Sequence, residues 1–214
     1  GEVSSDSIVA IGFYGDQIQF GFGSKGGWEP FGPIRRVTKA NENILYELDG
    51  QLALEVYKKY LGEKAKDLPA SGLLYPLAIL NDNQTNSGVV RTILGIDEAN
   101  GSLILAGDIL EGGRVQLMQS TYSGLVAGAR TAATEAKGNS NGSRGSLGIL
   151  ISCIGRRLVM KDDIIEEIDA VKEVFGDQST ITGFYSNGEI APFEQVKNCK
   201  LHNQTMTITY LTEN

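Results

Sequence analysis

From Ser7 to Gly23 (SIVAIGFYGDQIQFGFG) small and large apolar residues alternate around Gly15-Asp16, and this period of two predicts two strands joined by a tight turn. The stretch SKGGWEPFGP, Ser24 to Pro33, interrupts the pattern. Its glycines and prolines argue against regular structure, while Trp28 and Phe31 are too apolar for a plain linker, so an ordered loop folded over a surface is expected. Two strand candidates follow, RRVTKA and ILYELDG, the second closing on the turn signal Asp49-Gly50. Residues 51–62 then switch to helical spacing, with Leu52, Val56 and Tyr60 on one face, Leu54, Tyr57 and Leu61 beside it, and Gly62 as a stop.

Four apolar runs, LLYPLAIL, VVRTILGID, SLILAGDI and GRVQLMQS, are separated by turn-forming residues and predict a meander of neighbouring antiparallel strands. Leu125, Ala129, Ala132, Ala133 and Ala136 recur at helical spacing over 121–137, and KGNSNGSRGS, Lys137 to Ser146, reads as an exposed, mobile loop. A buried-strand run, LGILISCIG, precedes an amphipathic helix marked by Ile164, Ile168, Val171 and Phe175, whose first turn is acidic as the helix dipole prefers. STITGFYSNGEIAPF and TMTITYLTE supply further strands, with Ser186-Asn187-Gly188 as a turn. About nine strands and three helices joined mostly by short turns predict an α+β fold of predominantly antiparallel sheets packed against helices.

Composition narrows the function. With 41% apolar residues among 214, the chain can enclose a substantial core. A net charge of −7, from 26 acidic against 19 basic residues, repels phosphate backbones, and the pairs Arg35-Arg36, Lys58-Lys59 and Arg156-Arg157 form no basic patch, so nucleic-acid binding is disfavoured. No apolar run approaches the roughly 20 residues of a membrane-spanning helix, and GEVSSDSIVA is unlike a signal peptide, which predicts a soluble, cytoplasmic piece with no membrane insertion. Opening on Gly1 without Met suggests an excised fragment. Cys153 and Cys199 have neither zinc-ribbon nor disulfide-scaffold spacing and are expected to be two reduced, largely buried thiols.

Four blocks, ILYELDGQLALEVYKKYLG (44 to 62), ISCIGRRLVM (151 to 160), GFYSNGEIAPF (183 to 193) and LHNQTMTITYL (201 to 211), resemble in order and spacing the successive signatures of the FIST C-terminal domain. GGWEPFGPIRRVTKA is similar to the closing segment of the FIST N-terminal domain. The resemblance implies residues 1–43 as the tail of the N-terminal domain and 44–214 as the C-terminal one. It also implies a sensory module of bacterial signal transduction that binds a small molecule such as an amino acid and works with an output domain or histidine kinase. Some relatives of this kind resemble haem proteins that report nitric oxide.

Candidate chemistry concentrates in three of these blocks. His202 is the only histidine, so it is a haem ligand, a hydrogen-bonding group for a small ligand, or a structural imidazole satisfied by backbone, with Asn203 beside it. Cys153 ends an apolar strand ahead of Arg156 and Arg157, whose charge would depress a thiol pKa; the alternative is a small apolar filler. The two guanidiniums suit a carboxylate or phosphate, or pair internally with Glu166, Glu167 or Glu189. Tyr185 and Glu189 project polar ends from an apolar strand pair, and Glu189 suits an amino or guanidino ligand or an ion pair. Ligand contacts are therefore expected from Cys153, Arg156, Arg157, Tyr185, Glu189, His202 and Asn203. No GxSxG, HExxH, P-loop or GxGxxG is present, which argues against an enzyme; a hydrolase or transferase using Cys153 with His202 as base is the least supported alternative. No cofactor is required, haem being the one candidate, through His202.

Overall fold

The computed structural model describes residues 5–138, 144–193 and 196–213. In chain order its strands are β1 (Ile18–Lys25), β2 (Glu29–Asn41), β3 (Ile44–Leu48), β4 (Gln51–Leu52), β5 (Leu77–Leu80), β6 (Asn86–Arg91), β7 (Ile93–Asp97), β8 (Ser102–Leu105), β9 (Arg114–Gln119), β10 (Arg144–Cys153), β11 (Ser179–Ser186), β12 (Glu189–Phe193), β13 (Val196–His202) and β14 (Met206–Glu213). The α-helices are α1 (Ala53–Leu61), α2 (Tyr122–Gly138), α3 (Ile154–Met160) and α4 (Ile165–Phe175). The architecture is α+β, and every described strand pair except β10 with β11 is antiparallel.

One sheet runs β6-β5-β9-β2-β3-β8-β7, with β4 on β3. Helix α1 lays Leu54, Tyr57 and Leu61 onto its core of Val37, Leu45, Leu103, Leu105, Val115 and Leu117. Leu45, Leu103 and Leu105 are completely buried, each worth about 2 kcal/mol of transfer free energy. The other sheet, β1-β14-β10-β11, carries α2 and α4 on a shared core of Ala129, Ala132, Ala133, Ala136, Leu150, Val171, Phe175, Met206, Ile208 and Tyr210. The alanine face lets α2 lie close. At Gly23 a Cβ would stand 2.0 Å from the Ala132 carbonyl oxygen, so only glycine admits that approach. The β12–β13 ribbon pairs Glu189 with His202 across its strands.

Several sequence expectations are corrected. Residues 7–15 form no strand, and Ile8, Val9, Ile11 and Tyr14 are exposed; among the described residues β1 pairs with β14 instead of with a preceding strand. Of the glycine-proline stretch only residues 26–28 are loop, because β1 runs to Lys25 and β2 begins at Glu29, tolerating Pro30 and Pro33 where its register with β9 breaks, between Pro30 and Ile34. The four apolar runs do not make a meander. VVRTILGID divides at Thr92 into β6 and β7, which lie at opposite ends of the sheet, while β9 inserts between β5 and β2, and β8 pairs with β3. Ser186–Gly188 is the turn expected between β11 and β12, closed by Ser186 Oγ on the Gly188 backbone, but the two strands part there, β11 running parallel to β10 and β12 pairing with β13. Leu52 faces solvent at 47% exposure, one residue before α1 begins. Of the loop expected at 137–146, residues 139–143 lie outside the described residues. No described helix is long and apolar enough to cross a membrane.

Candidate functional site

Side chains alternate across a strand, and at the end of β10 this sends Ser152 and Cys153 to opposite sides, separating the predicted residues into two polar clusters. Ser152 donates to Glu167 Oε1 (3.0 Å), as does the Tyr185 hydroxyl (3.1 Å). Arg156, brought in by α3 and fully buried, meets Glu167 Oε2 at 2.9–3.0 Å through Nη2 and Nε. Its remaining donors go to the carbonyls of Gly26 (2.7 Å) and Leu125 (2.8 Å). This guanidinium is thus an internal strut joining the glycine loop, α2 and α4. Of the partners considered from sequence it takes Glu167, and the role of ligand fork is not available to it. Arg157 is exposed and lies 5.3 Å from the ring centroid of Tyr185, whose hydroxyl is pushed up to about 12 by burial and then by Glu167.

The second cluster gathers Cys153, Glu189 and Thr205. The Cys153 amide donates to the Thr205 carbonyl (3.0 Å), and Thr205 Oγ1 donates to Glu189 Oε2 (3.1 Å). Glu189 is 3% exposed, and burial pushes its carboxyl up to about 7. The Cys153 thiol also lies against this carboxyl and partly offsets its burial, while Oε1 meets no nitrogen or oxygen donor. The hydroxyls continue from Thr205 to Thr207 (3.4 Å) and Ser24 (3.0 Å). The Cys153 thiol is raised, first by burial and then by Glu189, which outweigh Arg156; the depressed, reactive thiol expected from the neighbouring arginines is not formed. Cys199 is exposed, contrary to the expectation of two buried thiols.

The turn from His202 to Thr205 is buried throughout, at 1%, 2%, 0% and 3% exposure. His202 Nε2 lies 3.2 Å from the Ala191 carbonyl oxygen, and burial holds the imidazole below its ordinary pKa. The nitrogen that would ligate haem is therefore engaged by backbone, and the arrangement does not fit haem ligation. Asn203 donates to the His202 carbonyl (3.0 Å) and Gln204 to the Leu73 carbonyl (3.1 Å), while Asn203 Oδ1 and Gln204 Oε1 lack partners. Gln204 adopts φ 61, a left-handed conformation that costs a non-glycine residue about 1 kcal/mol or more and is held by its surroundings. Its carbonyl accepts the Trp28 indole N–H (3.0 Å).

Beside this turn lies a cavity of about 440 Å³. Its walls are the glycine loop with Lys25, Trp28 and Glu29, the start of α2 with Gly124 and Gly128, Gly88 and Val90 of β6, and the hydroxyl-bearing Ser24 and Thr205. It sits where the two sheets meet, the kind of seam at which ligand pockets concentrate. The glycines fix its shape, because a Cβ at Gly27 would stand 2.0 Å from the Gly124 carbonyl and one at Gly128 would stand 2.7 Å from the Gly27 nitrogen. A separate groove of about 310 Å³ is lined by Ile168, Ile181, Tyr185 and Met206, so Tyr185 serves a different surface from Thr205.

Sequence reasoning missed Trp28, Ser24, Thr205 and the α2 glycines as one unit. The signal was present: Gly124 and Gly128 are spaced one helical turn apart inside an otherwise alanine-rich helix, where glycine weakens the helix unless a backbone must come close. Also missed was Arg91, whose buried guanidinium bonds the carbonyls of Asp108 (2.9 Å), Leu201 (3.1 Å) and Val90 (3.2 Å), and whose charge helps keep His202 neutral.

Fold and site together define an α+β protein with a cavity at the seam of two sheets. The FIST C domain profile matches residues 53–192 and the FIST N domain profile matches residues 1–51, and the chain belongs to the FIST family, whose domains are sensory modules of signal transduction. An uncharacterized protein of Methanocaldococcus jannaschii is 29% identical over 184 residues, covering 79% of this chain and 34% of its own length. The chain thus spans about a third of that curated relative. No solved structure matches the chain.

Proposed function

We propose that this chain is the ligand-binding part of a cytoplasmic sensor, that the cavity between the glycine loop, α2 and the His202–Thr205 turn holds a small polar molecule such as an amino acid, and that occupancy is passed to an output domain or histidine kinase. The division expected from sequence, with residues 44–214 as the C-terminal domain and 1–43 as the tail of the N-terminal one, is part of this proposal. The observation that carries it is the cavity itself: an open cleft of about 440 Å³ lined by segments from four distant parts of the chain, with a buried carboxyl bonded to its wall through Thr205. A ligand there touches both sheets at once, so its binding energy bears on their relative placement, as a population shift requires. Of the residues expected from sequence, Glu189 is connected to this cavity through Thr205, and His202 and Asn203 belong to the turn behind it.

Sensing is favoured over catalysis because the Cys153 thiol is held protonated by burial, the reverse of what a nucleophile needs. The test is a thermal-shift screen of amino acids and related metabolites. A saturable rise in melting temperature without turnover supports the proposal. An unmoved melting curve across the screen, repeated with upstream FIST N sequence attached, refutes it.

A further inference from the structure

The charges and unmet hydrogen bonds around the cavity differ in sign from what an anionic ligand needs. Lys25, the cation on the wall, is ion-paired with Glu135 at 3.1 Å. Glu29 stands exposed at the mouth and has no ion-pair partner among the described residues. Behind Thr205, the buried Glu189 takes the Thr205 hydroxyl and has the Cys153 thiol beside it, and the nearby guanidinium of Arg156 is directed to Glu167 and to the carbonyls of Gly26 and Leu125. The other unpartnered side-chain atoms of the turn, Asn203 Oδ1 and Gln204 Oε1, are also acceptors, since the amide nitrogens of both already donate. The unmet side-chain groups here are acceptors, and the Glu189 carboxyl, although it takes the Thr205 hydroxyl and feels the Arg156 charge, is still pushed up by its burial. Trp28 lines the same cavity, half-buried, with its indole N–H committed to the Gln204 carbonyl and its ring packed on Ala78, Val90 and Met118, so the part of the ring that faces the cavity is held in place for a ligand.

We propose that the cavity selects an organic cation, a protonated amine or a guanidine, whose charged end is held by Glu29 and the Thr205–Glu189 pair and whose apolar part lies on Trp28. This rests on the cavity being the sensory site and specifies the chemistry of what it takes. Glu189 stays behind the wall, and the hydrogen bond it accepts from Thr205 uses that hydroxyl's proton and leaves the Thr205 oxygen as the acceptor that faces a ligand. Glu29 attracts the cation at the entrance, and the −7 net charge of the chain favours its approach.

Trp28 is the only tryptophan, so its emission reports the cavity directly. The experiment titrates the chain with agmatine and putrescine as cations, acetate and phosphate as anions, and urea as a neutral donor, following Trp28 fluorescence. Saturable change with the cations alone is the expected result. Glu29→Lys, at an exposed position, weakens that response by about tenfold or more while the melting temperature holds. Glu189→Gln weakens it as well, because the Thr205 hydroxyl at the wall then loses its carboxylate acceptor. Response to acetate, phosphate or urea without response to the cations overturns the cation assignment and leaves a sensory cavity standing. Silence of Trp28 toward every probe at millimolar concentration overturns the cation assignment, and the thermal-shift screen of amino acids then decides separately whether the sensory reading stands.

Discussion

Replacing Arg156 with methionine removes the centre of the internal strut while keeping most of its volume. Glu167, fully buried, loses both contacts to the guanidinium, and the carbonyls of Gly26 and Leu125 lose their donors. Stranding one partner of a buried ion pair costs about 3–5 kcal/mol. For a domain of this size that lowers the melting temperature by about 10 °C or more. Adding Glu167→Leu removes the stranded charge, so the double variant recovers most of that penalty yet stays below wild type, because the two carbonyls still lack donors at about 1 kcal/mol or more each. Urea unfolding of the two single variants and the double closes the cycle. Since the Gly26 carbonyl is anchored by Arg156, the single variant is also expected to loosen the glycine loop and shift Trp28 emission toward that of a solvated indole. A loss below about 1 kcal/mol, typical of a solvent-exposed pair, would refute the strut.

Other consequences follow from the same geometry. Glu189 ionises near 7 in the folded chain and near 4.5 when unfolded, so its burial costs nothing below about 4.5 and progressively destabilises the fold as pH rises to about 7. Glu189→Gln should flatten that decline, worth about 3 kcal/mol at most, in melts taken across this window; identical slopes for variant and wild type would exclude it. In the native protein iodoacetamide should label Cys199 and spare Cys153 until urea exposes it, as peptide mapping would reveal. Gly128→Leu would drive a side chain into the Gly26–Gly27 backbone, where even a Cβ stands 2.7 Å from Gly27 nitrogen, so it should displace the glycine loop and abolish ligand response.

Sequence periodicity located most elements because their apolar residues face one core each. The alanine stripe of α2 and the alternation in β14 are examples, and both bury the residues their spacing selected. Sheet order was hidden, because β9 and β2 pair across more than seventy residues of chain and nothing in either run names its neighbour. The site was half legible. The ends of β10, β12 and β13 do come together around Cys153, Glu189 and Thr205. Yet Arg156 and Tyr185 turn to Glu167, since the neighbouring strand residues Ser152 and Cys153 face opposite ways and the short helix α3, which sequence did not predict, carries Arg156 inward. The cavity wall was overlooked for another reason: much of it is backbone at Gly26, Gly27, Gly124 and Gly128, which carry no side-chain chemistry, so the glycine spacing in α2 is its main trace in the sequence.

The central claim, that this seam holds a ligand, is tested most directly by titrating wild type and Gly128→Leu side by side and following Trp28 emission. The account predicts a saturable change in the wild type that is missing from the variant while the variant's far-UV circular dichroism stays native. An equal response in both would place the ligand elsewhere and contradict it.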